Sequence, residues 1–301
     1  MHAPAYLIKL RRILNQKIKN KIESELKISI SNIISLSGGC ISNAYKIKTV
    51  NDRAYLLKIN ESSGGDMFLK EANGLSELKK ANAIKVPEVI MAEKNFILLE
   101  FINSSDKSKT FFQDFGIKFS NMHKFNSKAF GFYEDNYIGA NPQLNMPEKD
   151  EQTNWIKFYF NKRILYQYKL AEKNGYATEE LMQGISKLEN KMELILSGSE
   201  ESPSLLHGDL WSGNYMVDEN GNACLIDPAV YYGHREADLG MTKLFGGFSS
   251  EFYYSYNENF PLLDGYNYRE NIYKLYHVLN HLNLFGRGYY QQAISLIYYY
   301  L

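Results

Sequence analysis

The run His207-Gly208-Asp209-Leu210-Trp211-Ser212-Gly213-Asn214 and the tripeptide Ile226-Asp227-Pro228 hold the side chains with the most chemical potential in this chain. Asp209 and Asn214 stand five positions apart, and Asp227 follows a segment that reads as strand, turn, strand. Mg²⁺ is a hard cation that prefers oxygen donors in near-octahedral geometry. An Asn carbonyl and an Asp carboxylate held across a hairpin can therefore share metals that bridge phosphates. A further Asp outside the ligand set can orient an incoming hydroxyl and accept its proton. Taken singly, each residue has a plainer use: Asp209 can cap a turn, Asn214 can form an Asx-turn, and Asp-Pro is a turn dipeptide. The three in this order, with His and Gly ahead of the first, favour metal–nucleotide chemistry.

Such a set needs a cation to hold the phosphates. Lys58 in YLLKI is the candidate, since it ends an otherwise apolar predicted strand. Glu71, thirteen residues on in the next predicted helix, can pair with Lys58 and fix it, although Glu61 and Glu77 compete for that duty. Gly38-Gly39 opens the segment Gly38-Gly39-Cys40-Ile41-Ser42-Asn43 between two predicted strands. Glycine permits positive φ and close approach of backbone N–H groups to phosphate, but a bare Gly-Gly pair also suits a simple hairpin turn.

The elements that must position these residues follow from the apolar spacing. Helical periodicity covers Leu7 to Leu26. Three extended segments follow, Ile33 to Leu36, Ala44 to Val50 and Tyr55 to Ile59, punctuated by Gly38-Gly39 and Asn51-Asp52 as in an antiparallel meander. An amphipathic helix is predicted over Met67 to Lys80, a short extended piece after Pro87, and a buried strand over Asn95 to Ile102. Beyond Asn103 the pattern turns helical, over Phe111 to Lys124, Asn154 to Asn174 and Thr178 to Leu196. An irregular stretch spans Lys128 to Asp150 and a loop spans Ser197 to Ser204. A hairpin with an Asn-Gly turn carries the Asp209 to Asp227 set, and the chain is mostly helical from Ala237. The expectation is an α+β chain: a strand-rich part with one main helix over residues 1–102, then a larger, mostly helical part over 103–301.

Length and composition agree with a globular chain of this kind. The 301 residues suggest two domains or one bilobal unit. The hydrophobic fraction is 45% and the charged fraction 23%, which disfavours disorder. Basic and acidic side chains balance at 34 each, so no excess charge argues for nucleic-acid binding. Two cysteines, Cys40 and Cys224, make neither a disulfide framework nor a cysteine-rich zinc site. No stretch approaches the ~18 apolar residues of a membrane span. The segment MHAPAYLIKLRRILNQKIKNK lacks the pattern of a secretory signal, so a cytoplasmic protein is expected, without membrane or nucleic-acid partners.

Several segments together resemble the fructosamine kinase family, the ketosamine 3-kinases. They are GGCISNAYKI (Gly38 to Ile47), LLKI (Leu56 to Ile59), DNYIGANPQLN (Asp135 to Asn145), WIKFYFNKRILYQ (Trp155 to Gln167), LLHGDLWSGN (Leu205 to Asn214) and LIDPAVYYGHREADLGM (Leu225 to Met241). HGDLWSGN joined to DPAVYYGHREADL is the specific part. The aminoglycoside phosphotransferases share HGD and the Asn but usually neither the Trp nor the GHRE run. The resemblance implies a bilobal protein-kinase-like fold, with ATP and Mg²⁺ as cofactors. The implied reaction is phosphorylation of the 3-hydroxyl of a ketosamine on a glycated protein or small amine. The 3-phosphate makes the adduct unstable and frees the amine.

It further implies Asp209 as catalytic base, Asn214 and Asp227 as Mg²⁺ ligands, Lys58 as the phosphate-binding lysine with Glu71 as its partner, and Gly38-Gly39 in the phosphate loop. Glu100-Phe101-Ile102 would be the hinge whose backbone meets adenine. Trp211 can stack on the acceptor sugar or pack in the core, and Asp238 can cap a helix or brace the catalytic loop. His234 and Arg235 are expected to order the loop after the metal site, and His123, His277 and His281 to be satisfied or surface histidines. Cys40 lies where many family members carry a cysteine. Open backbone amides there favour a thiolate, which leaves two readings: oxidation joins Cys40 of two chains as an off-switch, or Cys40 is an inert small residue. The protein is accordingly expected to be a monomer or a redox-sensitive homodimer. His-Gly-Asp and Asp-Pro-Ala replace His-Arg-Asp and Asp-Phe-Gly, and an Ala-Pro-Glu segment is absent, which disfavours activation-loop control. Two other readings stay open: a phosphotransferase for an aminoglycoside or choline-like hydroxyl compound, and a non-catalytic pseudokinase. The complete Lys58, Asp209, Asn214, Asp227 set disfavours the last.

Overall fold

The computed structural model describes residues 16–36, 43–60 and 65–301. Gly38, Gly39 and Cys40, together with Glu61 and the first part of the predicted N-terminal helix, lie outside the described residues. The chain divides into two compact units, residues 1–69 with 88–101, and residues 70–87 with 102–301. Among the described residues no helix is long and apolar enough to cross a membrane.

The first unit is a five-stranded antiparallel sheet with one helix against it. Helix α1 spans Gln16–Leu26; the strands are β1 (Ile30–Leu36), β2 (Asn43–Thr49), β3 (Ala54–Ile59), β4 (Val89–Ala92) and β5 (Phe96–Glu100), in the order β1-β2-β3-β5-β4. Alternation decides which strand residues face the helix. Tyr45 and Ile47 on β2, Leu57 and Ile59 on β3, and Phe96 and Leu98 on β5 share one core with Ile18 and Ile22, four residues apart on α1. Asp52 takes φ 57° in the β2–β3 turn, a conformation Asp tolerates. The first strand begins three residues earlier than its apolar pattern predicts, because Ile30 pairs with Thr49 beyond a bulge.

The second unit is mainly helical. Helix α2 (Met67–Lys80) begins in the first unit and continues into the second. It is followed by α3 (Phe111–His123), α4 (Trp155–Tyr159), a π-helical turn (Phe160–Leu165), α5 (Tyr166–Lys173), α6 (Glu179–Glu189), α7 (Met192–Leu196), α8 (Glu236–Leu244), α9 (Ser250–Asn259), α10 (Tyr266–Phe285) and α11 (Tyr290–Tyr298). Three two-stranded sheets lie among them: β6 (Asn136–Ile138) with β7 (Asn141–Gln143), β8 (Ser204–Leu206) with β11 (Tyr231–Gly233), and β9 (Tyr215–Val217) with β10 (Ala223–Leu225). Asn154 and Thr178 start α4 and α6 as side-chain caps, accepting from Lys157 N and Leu181 N.

The helix predicted over Thr178 to Leu196 is broken at Asn190-Lys191, which separate α6 from α7. The Lys128 to Asp150 stretch, irregular by sequence, contains the β6/β7 hairpin, and the β8/β11 pair carries no sequence signal at all. Strands of three residues are too short for a period to show.

Candidate active site

Two short sheets bring the Asp209 loop together. Pairing of β8 with β11 sets Leu206 opposite Tyr231, so the chain leaving β8 at His207 runs beside the chain entering β11. There Ala229 N donates to His207 O at 2.9 Å. Contact is so close that a Cβ on Gly208 would stand 2.0 Å from the Ala229 carbonyl oxygen, and Gly208 has φ 82°. Only glycine meets both conditions without displacing the neighbouring backbone.

The loop is braced from below by Asp238 on α8. Its carboxylate accepts from His207 N at 2.7 Å and from Gly208 N at 2.8 Å. It also accepts from His123 Nε2 at 3.2 Å, while His123 Nδ1 takes the Tyr256 hydroxyl at 2.7 Å. Burial pulls the His123 pKa down despite the Asp238 hydrogen bond, so the ring is neutral near pH 7. Burial alone would raise the Asp238 pKa, but the hydrogen bonds it accepts, from His123 first and from the Gly208 backbone, hold it below the ordinary carboxylate value. His207 Nε2 donates to Ile226 O at 3.0 Å, which ties this loop to the residue before Asp227.

The β9/β10 hairpin closes the set. Asn214 immediately precedes β9, Leu225 pairs with Tyr215, and Ile226 N donates to Asn214 O at 3.1 Å. The Asn214 amide donates to Asp209 O at 2.7 Å and to Asp209 Oδ2 at 3.1 Å. Asp227 is held in the left-handed region at φ 53°, a strained setting for a residue with a Cβ. Desolvation by the surrounding protein raises the Asp209 pKa well above the usual carboxylate range; the charges of Asp227 and Asp238 add to this, and the Asn214 amide opposes it. Asp209, Asn214 and Asp227 are thus one cluster of two carboxylates and an amide. The Asn214 NH₂ is engaged by Asp209; the Asn214 amide oxygen and the Asp227 carboxylate are donor types that could hold Mg²⁺.

Other predicted residues fall elsewhere. Lys58 lies on β3 in the first unit, opposite Ala44 and Ile97. It stands on the strand face opposite the one through which Leu57 and Ile59 enter the core. Glu71 is half-buried on α2, within the second unit. Its competitor Glu77 is already engaged, accepting from the Tyr232 hydroxyl and from Lys80. Glu100 ends β5 and accepts from Glu88 N, and Ile102, buried, opens the return of the chain to the second unit. Trp211 is 37% exposed and so is not a core residue. Arg235 forks onto Glu201 at 2.8 and 2.6 Å and onto the Phe260 and Pro261 carbonyls, while His234 donates to Ser199 O. Both therefore order the 197–204 loop.

Sequence reasoning missed a buried polar network behind the Asp227 segment. Asn136 donates to Val230 O and Gln143 to Ala229 O. Asn145 donates to Asn136 and accepts from Arg163, whose guanidinium lies 4.0 Å from the Tyr231 ring centroid. Tyr276 donates to Gln143. The amide-rich spelling of DNYIGANPQLN was the available signal. His277 also differs from expectation, being buried with a partnerless Nδ1 rather than satisfied or exposed.

An antiparallel sheet unit followed by a helical unit that carries these residues on a hairpin is the fold of the protein-kinase-like phosphotransferases. An ADP-bound aminoglycoside phosphotransferase superposes with TM-score 0.63 over 95% of this chain and 96% of its own, and 16% identity limits that likeness to the fold. The family model of the fructosamine kinases matches residues 13–301, and the chain belongs to that family. The chloroplastic protein-ribulosamine 3-kinase of Arabidopsis thaliana is 40% identical over 275 residues, covering 89% of this chain and 82% of the relative. A Thermobifida fusca structure assigned by name to the fructosamine-3-kinases superposes with TM-score 0.86 at 26% identity, over 95% of this chain and 99% of its own.

Proposed function

We propose that this protein is an ATP-dependent kinase that phosphorylates the 3-hydroxyl of ketosamines and so promotes removal of the sugar from glycated amines. The observation that carries the reading is the Asn214 amide holding the Asp209 carboxylate at 3.1 Å beside Asp227, in a chain of the fructosamine kinase family. Asp209 orients the acceptor hydroxyl and takes its proton. The sugar oxygen forms a bond to the γ-phosphorus as the bond to the bridging oxygen breaks, and ADP leaves with that electron pair. Asn214 and Asp227 would hold Mg²⁺, which supplies neutralisation of phosphate charge. Lys58 adds a second positive charge toward the phosphates, with Glu71 as its partner, and the backbone of Glu100 and Ile102 receives the adenine. Gly38 and Gly39 belong to the phosphate loop in the same reading. The fixed geometry of the Asp209 loop matters because phosphoryl transfer depends on alignment and charge compensation more than on covalent help.

ADP release measured with ribulosamine, erythrulosamine and fructosamine, and in parallel with aminoglycosides and choline, tests the reading. Turnover is expected with ketosamines, with a 3-phosphate as product. Turnover only with the other acceptors rejects the ketosamine assignment, and no turnover with any acceptor rejects the enzyme. Asp209→Asn is expected to lower turnover by about 10²–10⁴ with little change in nucleotide affinity; equal turnover removes Asp209 as the base.

A further inference from the structure

Trp211, two residues beyond Asp209, begins a line of aromatic rings that leads away from the site. Its ring centroid lies 5.7 Å from that of Phe245, which follows α8. Phe245 meets His281 on α10 at 5.1 Å, and His281 meets Phe285 at 5.4 Å and Tyr289 at 5.1 Å. Isolated exposed rings are ordinary on a protein surface. Here Trp211, Phe245 and Phe285 are 37%, 38% and 58% exposed, and the half-buried His281 joins Phe245 to Phe285 into one track drawn from separate elements. Its first ring is firmly placed, since a Cβ on Gly213 would lie 2.4 Å from the indole. His281 Nδ1 donates to His277 O, and burial lowers the pKa of the ring, so it is uncharged near pH 7 and does not repel a cation.

We propose that this track is the surface that receives the carrier of the ketosamine, a polypeptide segment around a glycated lysine, and that Phe285 is a determinant of preference for it. The inference rests on the function proposed above. With the 3-oxygen at Asp209, four bonds place the ketosamine nitrogen roughly 5 Å away, and a lysine stem carries the chain about 6 Å further. That reach compares with steps of 5.7 Å from Trp211 to Phe245 and 5.1 Å from Phe245 to His281. In this proposal the ammonium and its methylene stem therefore lie along the inner rings, and the flanking peptide meets Phe285, a further 5.4 Å from His281. Aromatic faces attract ammonium groups and cover methylene stems. A small free ketosamine ends short of Phe285.

Steady-state kinetics with a ribulosamine-bearing lysine peptide and with the ribulosamine of methylamine separates the outcomes. Wild-type protein is expected to favour the peptide. Phe285→Ala is expected to raise the peptide KM about three- to tenfold, the range for loss of one aromatic contact. The peptide kcat, the methylamine adduct's kcat/KM and the unfolding midpoint stay unchanged, and Phe285→Tyr restores the peptide KM. An unchanged peptide KM in Phe285→Ala, or equal losses on both substrates, overturns the inference while leaving the kinase reading intact. Wild-type protein that phosphorylates neither ketosamine overturns the kinase reading, and this inference with it.

Discussion

Replacing Asp238 with asparagine keeps the size and shape of the side chain but removes its charge and turns one acceptor oxygen into an NH₂ group. In the native protein Oδ2 accepts from His207 N at 2.7 Å and His123 Nε2 at 3.2 Å, and Oδ1 accepts from Gly208 N at 2.8 Å. The position is 1% exposed, so water cannot stand in. With the amide oxygen in the Oδ2 place, Gly208 N faces another donor and is left buried without an acceptor. One such group costs about 1–3 kcal/mol, and the remaining bonds lose their charge assistance, so the variant is expected to lose about 2–4 kcal/mol. That is a large share of the roughly 5–15 kcal/mol that stabilises an ordinary fold.

Activity is expected to fall with it, because His207 and Gly208 carry Asp209. A shift near 1 Å at a reacting group can cost about 10²-fold. Urea unfolding and ADP-release kinetics provide the assay. The expected pattern is a lower midpoint and a kcat reduced about 10–10²-fold, with the nucleotide KM changed much less. Stability within about 0.5 kcal/mol of wild type, together with unchanged kcat, would show that the Asp238 bonds do not hold the loop, and the reasoning would fail.

Gly208→Ala puts a methyl group against the Ala229 carbonyl and keeps a positive φ that costs about 1–2 kcal/mol by itself. A stability loss of at least about 2 kcal/mol and a large loss of turnover are expected; a variant with a wild-type unfolding midpoint would contradict the close approach. His277 supplies a pH prediction. Burial lowers its pKa from 6.5 to about 3. Above pH 6.5 neither the folded nor the unfolded chain protonates it, so it adds no pH dependence there. As pH falls from 6.5 toward 3 only the unfolded chain gains the proton, and stability declines by about 1.4 kcal/mol per pH unit, of the order of 4–5 kcal/mol in all. His277→Gln is expected to flatten the stability-versus-pH curve by about one proton across that window, and parallel curves for variant and wild type would refute it.

The residues that gather around Asp209 were legible because they are dense in the chain. His207 to Asn214 and Asp227 flank the single β9/β10 hairpin, so their meeting needed only a short-range inference. The alternation in β2 and β3 and the spacing of Ile18 and Ile22 marked the sheet and its covering helix for the same reason, since a period of two or of about four residues is written in adjacent positions. The break between α6 and α7 and the three-residue strands were not legible, because their ends are decided by packing and pairing with distant chain.

By itself, the sequence determined the family, the α+β order of elements and the identity of the two carboxylates and the amide that gather on the hairpin. Tertiary structure alone decided that Asp238 and His123 brace the loop from α8 and α3. It also decided that Asn136 and Gln143, backed by Asn145 and Arg163, hold the Val230 and Ala229 carbonyls beyond Asp227, and that Trp211 opens an aromatic track ending at Phe285. The physical reason is distance along the chain. His123 and Asp238 are 115 residues apart, and a buried hydrogen bond between such residues depends on where whole helices pack, which no local periodicity records.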